Sequence, residues 1–116
     1  MLPPSMRILL CTAPQDLRRS FDGLAGVVTQ LLGQDPRSGT LYVFVNRRAN
    51  RAKVLWFERN GQCLLYKRLH RARFRAPRTG APGQTAIQLD GRELAALLEG
   101  VAGVPRAKRV DAGSRA

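Results

Sequence analysis

The chain has 116 residues, room for one domain with a small core, because a chain of this length buries only roughly 65% of its unfolded surface. Hydrophobic residues make up 44% of it, too many for general disorder, and two cysteines are too few for a disulfide scaffold. A formal net charge of +12 and a pI near 11.5 point to a polyanion partner, while no apolar run approaches the ~20 residues needed to span a membrane.

Residues 1–5 carry no charged stretch followed by an apolar one, so they read as a disordered leader rather than a secretory signal, and Met6 is an alternative start. Residues 6–11 read as a strand. Thr12-Ala13-Pro14-Gln15 then has the form of a capping box, with Pro14 harmless in a first turn. From there Leu17, Phe21, Leu24, Val28, Leu31 and Leu32 recur at helical spacing up to a stop at Gly33.

A turn over 34–39 leads to a strand over 41–45, and residues 47–51 form a basic loop. Residues 53–58 and 62–68 flank Asn60-Gly61, the dipeptide preferred where both central turn residues need positive φ, and so predict a hairpin. A two-residue turn there pairs Phe57 with Leu64, Leu55 with Tyr66 and Lys53 with Arg68. That face should pack on the first helix, leaving Trp56 near Lys67 on the other.

In residues 69–76, Arg71, Arg73 and Arg75 alternate with Ala72, Phe74 and Ala76, the period of a strand with a guanidinium stripe at ~7 Å spacing. A loop over 77–84 precedes a short strand over 85–89. Asp90 caps a last helix with Leu94, Leu97 and Leu98 on one face and Gly100 as its stop. Residues 101–116 read as a flexible basic tail. The expectation is one α+β domain over 6–100, in the order β-α-β-β-β-β-α: a mainly antiparallel sheet of four to five strands with two helices on one face.

Residues 47–78 hold eleven of the twenty Lys and Arg against a single acid, Glu58, and four aromatic residues thread the same stretch. The charge therefore lies on something that folds. Candidate nucleic-acid contacts are Arg47, Arg48, Arg51, Lys53, Lys67, Arg68, Arg71, Arg73 and Arg75, with Trp56 and Tyr66 to stack on a base or meet a partner. Most of the eight acids read as caps, turn residues, helix surface or tail, which leaves no converging carboxylates for a two-metal site. His70 is the lone histidine and sits in the basic run, so no zinc cluster is available. Cys11 and Cys63 have apolar neighbours and suit reduced, buried thiols of a cytoplasmic protein. Neither an enzyme nor a cofactor is expected.

The blocks Asp16-Leu17-Arg18, Asp22-Gly23-Leu24-Ala25, Asp35-Pro36-Arg37-Ser38-Gly39 and Val43-Phe44-Val45-Asn46-Arg47-Arg48 follow one another in an order that identifies a family. They continue through Lys53-Val54-Leu55-Trp56, Asn60-Gly61, Tyr66-Lys67-Arg68-Leu69, Arg73-Phe74 and residues 94–100. Over roughly 7–100 the chain resembles the small accessory proteins, often called TnpB, encoded beside the transposase in the insertion-sequence family numbered sixty-six. The RNA-guided nucleases of the same name are unrelated. His70 departs from the family, which usually has an acid there, and so does Leu17, where methionine is common.

The resemblance implies a non-catalytic protein needed for transposition beside a separate transposase. Two modes of action follow from the residues. In one, the basic strands bind DNA at the element ends or elsewhere; in the other, an apolar patch near Trp56 binds the transposase or another accessory protein without DNA contact. RNA binding is the weaker third reading, because no tight aromatic pair of the RNA-recognition kind is present.

Overall fold

The structure, a computed structural model, describes residues 6–102; the expected leader over 1–5 and the tail beyond 102 lie outside the described residues. The elements are β1 (Ile8–Cys11), α1 (Phe21–Gln30), β2 (Leu41–Val45), β3 (Arg51–Glu58), β4 (Gly61–Arg68), β5 (Ala72–Arg73), β6 (Ala86–Leu89), α2 (Gly91–Glu99) and β7 (Val101–Ala102). The α+β class holds, with a five-stranded sheet in the order β4-β3-β2-β1-β6 and a two-stranded β5-β7 ribbon beside it.

Both β1 and β2 are uninterrupted apolar runs, and β1 is buried along its whole length, the pattern of a strand covered on both faces. They pair in parallel, Ile8 beside Leu41 and Leu10 beside Val43, which requires a crossover; α1 supplies it. The other strand pairs of the sheet are antiparallel.

The helices lie on opposite faces of this sheet, which corrects the expected one-sided arrangement. Leu24, Val27 and Val28 of α1 pack with Leu9, Cys11, Tyr42, Phe44 and Leu55. Leu94 and Leu97 of α2 pack with the alternate residues Ile8, Leu10, Val43, Val54 and Ile87. Successive side chains of a strand point to opposite faces, so two apolar faces on β1 and β2 need two covers, each buried side chain contributing about 1.5–3 kcal/mol.

Helix α1 begins later than the spacing predicts. The Thr12 hydroxyl donates to the Gln84 carbonyl at 2.8 Å, and its backbone N–H donates to the Thr85 carbonyl at 2.9 Å. The apparent capping residue is thus bound to the segment that leads into β6, and 12–20 is a loop from which Leu17 still reaches the α1-side core. At the other end Gly33 takes φ 63°, and the Gln34 N–H closes on the Val28 carbonyl at 3.0 Å.

The hairpin forms with its register moved by two: Glu58 pairs with Gly61, Leu55 with Leu64, Lys53 with Tyr66 and Arg51 with Arg68. Arg59, at φ 57°, opens the turn in place of Asn60. A slip of two leaves every side chain on its expected face. The arginine strand does not form, because Arg71 sits at φ 59° and only Ala72–Arg73 pairs, with β7. Val101 and Ala102 are thereby part of a ribbon, where the sequence reads tail. Helix α2 starts at the predicted Asp90 cap, which the structure extends to a full capping box, Asp90 accepting from the Glu93 N–H and Glu93 from the Asp90 N–H.

Candidate nucleic-acid interface

The strand directions sort the charges. At the end of the sheet where β1 and β2 finish, the loops 12–20 and 46–50 emerge, β3 starts and β4 ends. Segment 69–75 is fastened to the same end, Leu69 N–H donating to the Asn50 carbonyl at 2.8 Å and Phe74 N–H to the Ala49 carbonyl at 2.7 Å. This end therefore collects Arg18, Arg19, Arg47, Arg48, Arg51, Arg68, Arg71, Arg73 and Arg75, against Asp16, Asp22 and Glu99. The opposite end is close to balanced, with Arg7, Arg37, Arg59, Arg92 and the guanidinium of Arg78, which is paired with Glu93, beside Asp35, Glu58, Asp90 and Glu93.

Asn46 sets the shape of the basic loop. Its Oδ1 accepts from the backbone N–H groups of Asn50 and Arg51, both at 3.0 Å, and its Nδ2 donates to Asn50 Oδ1 at 2.8 Å. The Ala49 N–H closes on the Asn46 carbonyl at 2.9 Å, with Ala49 at φ 58°. Arg47 and Arg48 are left exposed at the loop's apex on a backbone that is already ordered.

Between this loop and residues 14–18 lies an open cleft of about 440 Å³, lined by Arg18, Arg47, Arg48 and Arg51 with Asp16 as its one acid. Asp16 is spoken for. Its carboxylate accepts from Arg18 Nε and Nη2, and the side-chain hydrogen bond from Arg18, followed by the backbone N–H of Arg18, holds its pKa down at about 2. Arg51 Nε is buried with no acceptor among the described residues. A guanidinium in that state gains from an anion that its other nitrogens can reach.

The hairpin adds a second basic surface on the α1 side. Arg51 stands opposite Arg68 and Lys53 opposite Tyr66, all four on one face. Lys53 Nζ donates to the Arg19 carbonyl at 2.8 Å and lies 5.4 Å from the centroid of the Tyr66 ring. Trp56 and Lys67 fall on the α2 side, where Trp56 is half-buried against that core and its Nε1–H donates to Glu58 at 3.1 Å. Arg71 and Arg75 are exposed and Arg73 half-buried with its guanidinium on the Ala72 carbonyl, so the three share an end of the sheet without forming one stripe.

Two residues of this site, Arg18 and Asn46, are absent from the candidates that charge and spacing single out. The signal for Asn46 was present: two asparagines four apart across a short loop between strands are placed for side-chain-to-backbone turn bonds. Arg18 was hidden by the helix expected over that segment.

Cys11 is buried, and burial pushes its thiol pKa up against the opposing effect of contacts with Ala13 and Gln15; it forms no disulfide. Among the described residues no three His, Cys, Asp or Glu side chains gather where they could hold a metal ion, and no helix is long and apolar enough to cross a membrane.

The family profile described as "IS66 Orf2 like protein" matches residues 6–107. Two proteins of Sinorhizobium fredii are similar: uncharacterized protein y4hO, 38% identical over 103 residues and 87% of each chain, and uncharacterized protein y4jC, 34% identical over 79 residues, 66% of this chain and 68% of the relative. No solved structure matches. The chain belongs to the IS66 Orf2-like family, which points to a transposition accessory protein rather than to a known enzyme.

Proposed function

We propose that this IS66 Orf2-like chain assists transposition by binding DNA on the arginine-rich end of its sheet, while a separate transposase carries out the strand chemistry. The observation that supports this most is the end-to-end asymmetry of charge: among the described residues nine arginines gather against three acids where β1 and β2 finish, while at the other end five arginines stand against four acids. Arg47, Arg48 and Arg51 on the Asn46-braced loop, with Arg18, Arg68, Arg71 and Arg75 around them, neutralise backbone phosphates. Each neutralised phosphate releases counterions, which drives binding and makes it sensitive to salt. Lys53 and Lys67 lie further along the hairpin and extend the field rather than the contact.

The test is fluorescence anisotropy with a duplex carrying the element end and a scrambled duplex of equal length, across a salt series. Preference for the element end that survives ~0.2 M salt makes the protein a site reader, and equal, salt-sensitive affinity makes it a general clamp. Absence of binding to either duplex at low salt removes duplex DNA as the partner.

A second reading is a subunit that binds the transposase, and the observation in its favour is the outer edge of β4, where Leu65 is 40% exposed beside unpaired backbone groups. Trp56, half-buried against the α2-side core, offers less open surface than Leu65. Co-purification with the transposase that survives nuclease treatment and is lost in Leu65→Asp would favour this reading.

A further inference from the structure

A clamp on duplex phosphates has no use for an aromatic ring, yet the basic face of the hairpin carries one. Among the described residues Tyr66, 51% exposed, is the most open of the large apolar side chains, and no further strand of them covers the edge strand β4 on which it stands. Its ring is braced rather than loose. Lys53 holds it from across the ladder, and Lys53 is itself anchored to the Arg19 carbonyl in the loop before α1.

One step along the same face, about 7 Å away on each strand, stand Arg51 and Arg68. Beyond Arg51 opens the cleft lined by Arg47 and Arg48. The other aromatic side chains of the hairpin are committed elsewhere: Trp56 lies on the opposite face with its N–H on Glu58, and Phe57 is covered by Arg37 at 5.4 Å.

A ring exposed among cations on one sheet face is the arrangement by which proteins hold unpaired nucleotides, the base stacking on the ring and the backbone following the charges. In a duplex the base faces are already stacked on one another and cannot meet Tyr66. We infer that this face takes single-stranded DNA, with a base on Tyr66 and the flanking phosphates at Arg51 and Arg68, the strand running on toward the Arg47–Arg48 loop. The inference rests on the DNA-binding reading above and goes beyond it by naming the strand state that the hairpin recognises.

The experiment compares full-length protein with Tyr66→Ala and Tyr66→Phe on two labelled probes, an oligothymidylate of ~15 nucleotides and a blunt mixed-sequence duplex of the same length, at equal salt. Tyr66→Ala should weaken oligothymidylate binding about tenfold and leave duplex binding within about twofold, and Tyr66→Phe, which keeps the ring, should restore the single-strand affinity. Since Tyr66 is half exposed, the variants should fold, and thermal unfolding verifies it. Unchanged oligothymidylate affinity in Tyr66→Ala, an equal loss on both probes, or a Phe variant as weak as the Ala variant would overturn the inference while leaving duplex binding standing. Failure of the unmodified protein to bind either probe at low salt would instead sink the DNA reading itself, and the inference with it.

Discussion

Asn46→Ala should damage the basic site without removing a charge. The substitution deletes two hydrogen bonds from backbone N–H groups and one between side chains, all in a partly buried loop. At about 1 kcal/mol for each backbone partner, plus a desolvation cost for N–H groups left without acceptors, the loss is about 2–3 kcal/mol. For a domain of this size that lowers the melting temperature by about 10–20 °C. Asn46→Asp keeps both acceptor bonds, losing only the donor to Asn50, and should cost about 1 kcal/mol or less in stability. Urea denaturation followed by Trp56 fluorescence measures both. The ordering is the critical result: if Asn46→Ala matches the unmodified protein within about 0.5 kcal/mol, or Asn46→Asp is equally destabilised, the loop is not held by the side-chain Oδ1 of Asn46. Under conditions where it is folded, Asn46→Ala should also bind duplex more weakly, since Arg47 and Arg48 would then have to be ordered on binding.

Gly100 occupies φ 80° and ψ 176°, a region open essentially to glycine, and an added Cβ would come within 2.5 Å of Leu69 Cδ1 and 3.1 Å of the Arg73 carbonyl. Gly100→Ala should therefore cost about 2–3 kcal/mol in denaturant unfolding, and Gly33→Ala, at φ 63° in open space, only about 1. Asp16 has a depressed pKa in the folded state, so its pairing with Arg18 favours folding above the ordinary carboxylate range, and that contribution is lost as pH falls through about 2. Carboxyl titration by NMR should return Asp16 toward the usual range in Arg18→Ala, and Asp16→Asn should tighten duplex binding about threefold by removing one repulsive charge at ~6 Å in water. In the native protein Cys63, half-buried, should react with a thiol reagent well before Cys11, whose burial disfavours the thiolate; equal rates would contradict the packing of Cys11 under α1.

What could be read from the sequence was local. The Asp90 cap declares itself through its residue type just before an apolar face, and β2 through its run of apolar and β-branched residues. The placement of the helices was legible too, but in a signal of another kind: Ile8-Leu9-Leu10 and residues 41–45 leave no polar alternation, and a strand with one wet face would show it. Long-range contacts defeated the rest. Thr12 has the residue type of a helix cap but finds its partners at Gln84 and Thr85, over seventy positions away. The arginine alternation at 71–75 matches a strand, yet Phe74 is pulled into the α2-side core and its N–H is taken by Ala49, which leaves Arg71 in the left-handed region. The basic site was identified residue by residue, while its location at one end of the sheet depended on strand order, which no local pattern encodes.

The central claim is that DNA lies across the end where β1 and β2 finish. The direct test is the salt dependence of duplex affinity for the unmodified protein, for the Arg47→Ala/Arg48→Ala/Arg51→Ala triple variant, and for a triple variant of the opposite end, Arg37→Ala/Arg59→Ala/Arg92→Ala. Each lost phosphate contact lowers the slope of log affinity against log salt by about 0.9, so the first variant should lose up to about 2.7 and the second should keep the full slope. Equal slopes for the first variant and the unmodified protein, or a matching loss in the second, would contradict the claim.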